Sequence, residues 1–161
     1  HLLGISSAQP SDLNDYLGEL QYDYSYYGND GYKYTNASGT AFGDTYAVGD
    51  IVSVALDIDN LKVYFAKNGT WQDSGDPTSG ATGTGAAYTI EDPANTLQGC
   101  YFPSACYYDD TTNGTYQANF GNGYFGSTII SSEGTNASGI GKFEYDVPTG
   151  YTALSTKGMN S

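Results

Sequence analysis

Arginine is absent from the 161 residues, and histidine occurs once, at position 1. The remaining cations are Lys33, Lys62, Lys67, Lys142 and Lys157, scattered along a chain with 18 Asp and Glu and a formal net charge of -13. Phosphate binding draws on clustered Lys and Arg, so the sequence excludes nucleic acid as a partner. The same reasoning argues against an anionic membrane surface. With His1 alone, a serine or cysteine nucleophile lacks its usual base and a histidine-based metal site cannot be assembled. No run of 18 apolar residues is present, so membrane insertion through a helix is not expected.

Cysteine is equally scarce. Cys100 and Cys106 flank Tyr101-Phe102-Pro103-Ser104-Ala105, which reads as extended and would hold the two Cα atoms roughly 20 Å apart. A disulfide needs about 7 Å or less, so two free, buried thiols are expected. The chain also lacks a starting Met and a basic leader, and it is read as a fragment of a larger protein.

What is abundant is glycine, at 22 positions, and tyrosine, at 17, a balance of turn formers and strand formers that predicts an all-β domain. Residues 11–20 are the one helical candidate, a short helix near 11–18, with Ser11 as a cap and Leu13, Tyr16, Leu17 and Leu20 at helical spacing. From Tyr22 the period becomes two, through Tyr24 and Tyr26, and Asn29-Asp30-Gly31 marks a turn into Tyr32-Lys33-Tyr34. The strongest signal is a hairpin, Gly49 to Ile58 and Leu61 to Phe65, turning at Asp59-Asn60. Strands are also predicted over Tyr101–Tyr107 and Tyr116–Phe120. Alternation places Val52, Val54, Leu56, Val63, Phe65, Ala118 and Phe120 in one core. Residues 73–87 and 131–141, rich in Gly, Ser and Thr, are predicted to be exposed loops.

Other chemistry-bearing patterns are incomplete. Asp57-Ile58-Asp59 breaks off as a calcium loop at Leu61, and the stretch from Asp109 has Phe120 where a closing Glu would sit. Glu19, Glu91, Glu133 and Glu144 form no pair that sequence can place across a cleft, so no glycosidase is indicated. The expectation is no catalytic residue, no metal and no cofactor. Asn36, Asn68, Asn113 and Asn136 begin glycosylation-like triplets and are read as turn residues.

The run from Gly49-Asp50 through Val54-Ala55-Leu56-Asp57 to Val63-Tyr64-Phe65-Ala66-Lys67-Asn68-Gly69 resembles the central hairpin of SPRY domains. In order along the chain, Tyr101-Phe102-Pro103, Ala118-Asn119-Phe120-Gly121, and Pro148-Thr149-Gly150-Tyr151 with Leu154 resemble further motifs of that family. The resemblance implies one domain over residues 1–161, a bent, jelly-roll-like sandwich of two antiparallel sheets without catalysis or cofactor. Family members usually begin with a Trp-bearing strand ahead of the position of Leu2, which is missing here.

Within the family, Tyr26-Tyr27-Gly28-Asn29-Asp30-Gly31, the 75–85 loop and Pro148 to Leu154 look most like domains in tailed-phage structural proteins. That likeness implies a binding domain on the exterior of a virion, as a capsid decoration, fibre or tail component. Its partners would be other virion proteins or a host-surface protein or glycan, with oligomerisation through the parent protein. The alternatives are a cytoplasmic peptide-binding adaptor and a lectin-like glycan binder. In each case the loops at 26–31, 71–87 and 107–114 are the expected contact, through Tyr26, Tyr27, Asn29, Asp30, Trp71, Asp73, Tyr107, Tyr108, Asp109 and Asp110.

Overall fold

The computed structural model describes residues 1–8, 15–108 and 114–155. The chain divides into two compact units, residues 1–114 and 115–161.

Among the described residues, the first unit shows nine strands in two antiparallel sheets. One sheet contains β1 (Leu2–Ser6), β2 (Asp23–Tyr27), β3 (Tyr32–Thr35), β4 (Ser38–Ala41) and β9 (Phe102–Cys106), ordered β4-β3-β2-β1-β9. The other contains β5 (Val52–Asp57), β6 (Lys62–Lys67) and β7 (Thr70–Trp71), with β8 (Tyr88–Thr89) pairing with β6. Leu3 and Ile5 lie opposite Tyr26 and Tyr24, so the four share one face of the first sheet. That face meets Val63 and Phe65 of β6 in one core with Phe42, Tyr46, Ala87 and Ile90. Tyr26 lies at its centre, its ring centroid 5.0 Å from that of Tyr46, 5.5 Å from Phe42 and 5.8 Å from Phe65. The all-β sandwich read from the sequence is thus the observed architecture.

Lys33 also points into this core between Tyr32 and Tyr34. Its ammonium donates to the Ala87 carbonyl at 2.7 Å and lies 5.2 and 5.1 Å from the Phe42 and Tyr88 ring centroids. Burial lowers its pKa.

The hairpin pairs in the register the alternation implies, with Val54 opposite Phe65 and Leu56 opposite Val63. The Asp57 carboxylate holds the turn by accepting from the Asn60 N–H and side-chain amide, both at 2.9 Å. At the far end Asn68 and Gly69, both at positive φ (47° and 82°), form the tight turn into β7.

Four expectations are corrected. Residues 15–20 are turns rather than helix, and 11–14 lie outside the described residues. The Tyr16 N–H is held by the Glu19 carboxylate and the Leu17 carbonyl by the Ser25 hydroxyl, so this segment bonds to itself and to β2 in place of a helical ladder. Residues 73–87 are not a free loop: Pro77–Thr82 forms 3₁₀ turns packed on β5, Pro77 is buried, and Ser79 Oγ lies 3.3 Å from the Tyr64 hydroxyl. Hence β6 is buried on both faces, Val63 to Ala66 being 0–1% exposed. Cys100 and Cys106 form no disulfide with each other, as expected, but Cys100 is exposed and Cys106, which accepts from the Leu17 N–H, is only half-buried.

The fourth concerns the seven expected core residues. Val63 and Phe65 are buried, and Val52 and Leu56 pack partly against the core, but Val54 is 42% exposed because β5 is an edge strand. Ala118 and Phe120 are exposed and belong to no strand. There the Asn119 carboxamide oxygen accepts from the Gly121 and Gly123 N–H groups, which turns the chain where a ladder was expected.

The second unit is mostly irregular. It holds a short hairpin, β10 (Tyr124–Phe125) and β11 (Thr128–Ile129), and isolated bridges Asn122–Lys142 and Asn136–Val147. Side-chain bonds stabilise it, including Thr135 N–H to Asp146 at 2.6 Å and an exposed Lys142–Glu133 ion pair at 2.9 Å. Among the other triplet asparagines, Asn36 sits at φ 48° in the β3–β4 turn and Asn136 accepts from Ser138; Asn113 lies outside the described residues.

Candidate functional site

The β2–β3 loop begins at Gly28, whose N–H donates to the His1 carbonyl, and closes at Gly31 with φ 75°. A Cβ at Gly31 would stand 2.1 Å from the Gly43 carbonyl oxygen, so only glycine lets residues 42–46 run against this loop. Those residues are then pinned from three sides. The Tyr26 hydroxyl donates to the Asp44 carbonyl, the Gln72 side-chain oxygen accepts from the Asp44 N–H at 2.7 Å, and the Tyr46 hydroxyl lies 2.7 Å from the Tyr26 carbonyl. Burial, then the nearby Asp44 and Asp50, push the Tyr26 hydroxyl up to about 12.

A second brace comes from the family hairpin. Asp50 accepts from the Ala47 N–H at 2.9 Å and from the Asn68 amide at 2.6 Å, which hold its carboxyl below the usual range, and pairs with Lys67 at 3.5 Å. Asn68 in turn accepts from the Ile51 N–H at 2.8 Å, and Lys67 donates to the Thr45 carbonyl at 2.7 Å.

Held in this way, the 28–29 and 45–48 segments and the end of β9 enclose an open groove of about 310 Å³. It is lined by His1, Tyr27, Asn29, Tyr46, Tyr107 and Tyr108, with Ala47 and Val48. An adjoining hollow of about 350 Å³ shares Asn29, Tyr46 and Ala47 and reaches Asp50 and Lys67. Val48, 94% exposed, stands at the rim.

The wall continues over the outer face of the first sheet as a set of tyrosines. Tyr27 lies 5.5 Å from Tyr108 and 5.9 Å from Tyr34, and Tyr16 lies 5.0 Å from Tyr108. The Tyr34 hydroxyl donates to Asp30 at 2.8 Å, and burial followed by that bond pushes it up to about 12.

Of the residues singled out in the sequence, the structure brings Tyr27, Asn29, Tyr107 and Tyr108 together in the groove. Asp30 is exposed beside them, and Asp109 and Asp110 lie outside the described residues. Tyr26 is corrected to the core: alternation turns it inward and it is 0% exposed. Trp71 and Asp73 stand apart from the groove. Trp71 is half-buried on β7, edge-on to Tyr64 at 6.5 Å, and Asp73 sits in the following turn, so neither lines the groove. The sequence reading missed Tyr46, Ala47 and Val48, whose only local sign was an apolar step before Gly49-Asp50. It also missed Gln72, a polar side chain 5% exposed. Among the described residues no three His, Cys, Asp or Glu side chains converge.

A family model described as SPRY domain matches residues 3–123. The chain belongs to the SPRY domain family. The match ends before the closing Pro148–Leu154 motif that resembled the family's. This SPRY domain is similar to Ran-binding protein 9 of Danio rerio, 30% identical over 69 residues, which are 42% of this chain and 12% of that protein. Ran-binding protein 10 of Danio rerio and Ran-binding protein 9 of Homo sapiens match at the same identity over 42% of this chain and 11% and 10% of theirs. The match thus spans about a tenth of the length of these curated relatives. The finer likeness to domains of phage structural proteins has no support in them.

Proposed function

We propose that this SPRY domain is a non-catalytic protein-interaction module that receives a segment of a partner protein in the groove between Tyr27, Tyr46 and Tyr108. The observation that supports this most is the groove itself. A rigid sandwich braces two loops and a strand end so that aromatic side chains and exposed Val48 face solvent together. Aromatic anchors on a fixed frame lose little entropy on binding and supply most of an interface's energy. Similarity to Ran-binding proteins favours an adaptor of the intracellular kind over the virion component read from the sequence. In an adaptor the domain would recruit a partner to whatever protein carries it. The virion reading rests on the loop motifs alone.

The test is selection of random nonapeptides on the immobilised domain. The wild-type domain should enrich sequences that the Tyr27→Ala/Tyr108→Ala variant, with an unchanged circular dichroism spectrum, does not retain. Equal enrichment by both proteins would place the binding surface elsewhere.

A further inference from the structure

Fifteen of the eighteen carboxylates lie within residues 1–114, against Lys33, Lys62 and Lys67. All three ammonium groups are already engaged. Lys33 is held in the core by the Ala87 carbonyl, Lys62 donates to the Thr89 hydroxyl at 2.6 Å, and Lys67 is shared between the Thr45 carbonyl and Asp50. With no arginine in the chain, an anionic ligand entering the groove would meet Lys67 already paired and a surrounding field of the same sign as its own.

A cation meets the opposite conditions. Tyr27 and Tyr108 lie 5.5 Å apart with their planes inclined at 34°, and Tyr108 is 55% exposed, which leaves ring surface open to solvent. Ring faces attract ammonium and guanidinium groups, and the planar guanidinium also stacks on them. Beside these rings the exposed Asp30 is fixed in place, one carboxylate oxygen accepting from the Tyr32 N–H and the other from the Tyr34 hydroxyl, both at 2.8 Å. Aromatic faces and a fixed carboxylate, with the local lysines committed elsewhere, form a recognition surface for positive charge.

We propose that the partner segment received by the groove is cationic, with an arginine or lysine side chain laid against Tyr27 and Tyr108 beside Asp30. This rests on the groove being the binding site and adds the chemistry of its ligand.

The experiment uses the same random nonapeptide selection, followed by titration of the tightest synthetic peptide. The enriched peptides should carry Arg or Lys and exclude Asp and Glu. Replacing the shared cationic residue by Gln should weaken binding roughly 3- to 10-fold, as should raising NaCl from about 50 to about 300 mM. Asp30→Asn, which keeps the acceptor for the Tyr32 N–H, should weaken the cationic peptide and not its Gln counterpart. Enriched peptides that are neutral or acidic, or a Gln replacement without effect, would overturn the charge inference. If such peptides still depend on Tyr108, the groove reading survives alone. Failure to enrich any peptide, including retention of neutral oligosaccharides on a glycan array instead, overturns both.

Discussion

At the scale of single residues, Trp71 and Tyr108 look alike in the sequence, each an aromatic beside a predicted loop. Their settings separate them. Trp71 is half-buried and packs edge-on against Tyr64, whose hydroxyl meets Ser79 of the 3₁₀ segment, whereas Tyr108 is 55% exposed at the groove. Trp71→Ala should cost about 1–3 kcal/mol in urea unfolding, below the ~3–5 kcal/mol of a fully buried aromatic, and leave peptide affinity unchanged. Tyr108→Ala should cost no more than about 1 kcal/mol and remove most of the affinity. The sequence could not distinguish them, because covering Tyr64 depends on where Pro77 to Ser79 dock, which no local pattern encodes.

Asp23 carries a second residue-scale expectation. It is 4% exposed, accepts from the Ser6 hydroxyl at 2.5 Å and the Gly18 N–H at 3.3 Å, and burial outweighs these bonds and raises its pKa above the ordinary 3.8. A carboxyl raised on folding takes up its proton at a higher pH than the unfolded chain does, so its contribution to stability grows as pH falls through the folded value. Asp23→Asn removes that dependence and keeps an acceptor. The stability of the variant relative to wild type should therefore decline as pH is lowered from 7 to 4 in urea titrations. A pH-independent difference would show that Asp23 does not titrate in this window.

At the scale of elements, the hairpin was legible because three independent signals agree: period-two alternation, Asp59-Asn60 at one end and Asn68-Gly69 at the other. Its faces were correctly assigned, yet burial differs along them. β6 has β5 on one side and β7 and β8 on the other, while β5 has one neighbour among the described residues, a fact of topology that alternation does not contain. Phe65→Ala should thus cost about 3–5 kcal/mol and Val54→Ala about 1 kcal/mol or less, although the two residues face each other in register. Comparable losses would mean that Val54 is covered in solution. The segment 116–120 misled for the opposite reason: its alternation is real, but Asn119 spends its carboxamide on the following glycine amides.

For the whole molecule, the candidate site was half legible. Tyr27, Asn29, Tyr107 and Tyr108 stand out as aromatic and turn residues next to strands. The opposite wall, Tyr46 to Val48, follows Asp44, whose backbone is bonded by Tyr26 and Gln72 from distant parts of the sequence, and is held locally by Asp50 through the Ala47 N–H. The central claim is that these two walls form the binding surface of the SPRY domain, leaving the outer face of β6 to its 3₁₀ cover. The most direct measurement is a backbone amide chemical-shift map of the isotopically labelled chain titrated with a selected nonapeptide. The account predicts the largest changes at residues 27–31, 45–48 and 107–108, with 62–66 and 77–82 unmoved. Changes centred on 77–82, with 27–31 silent, would contradict it.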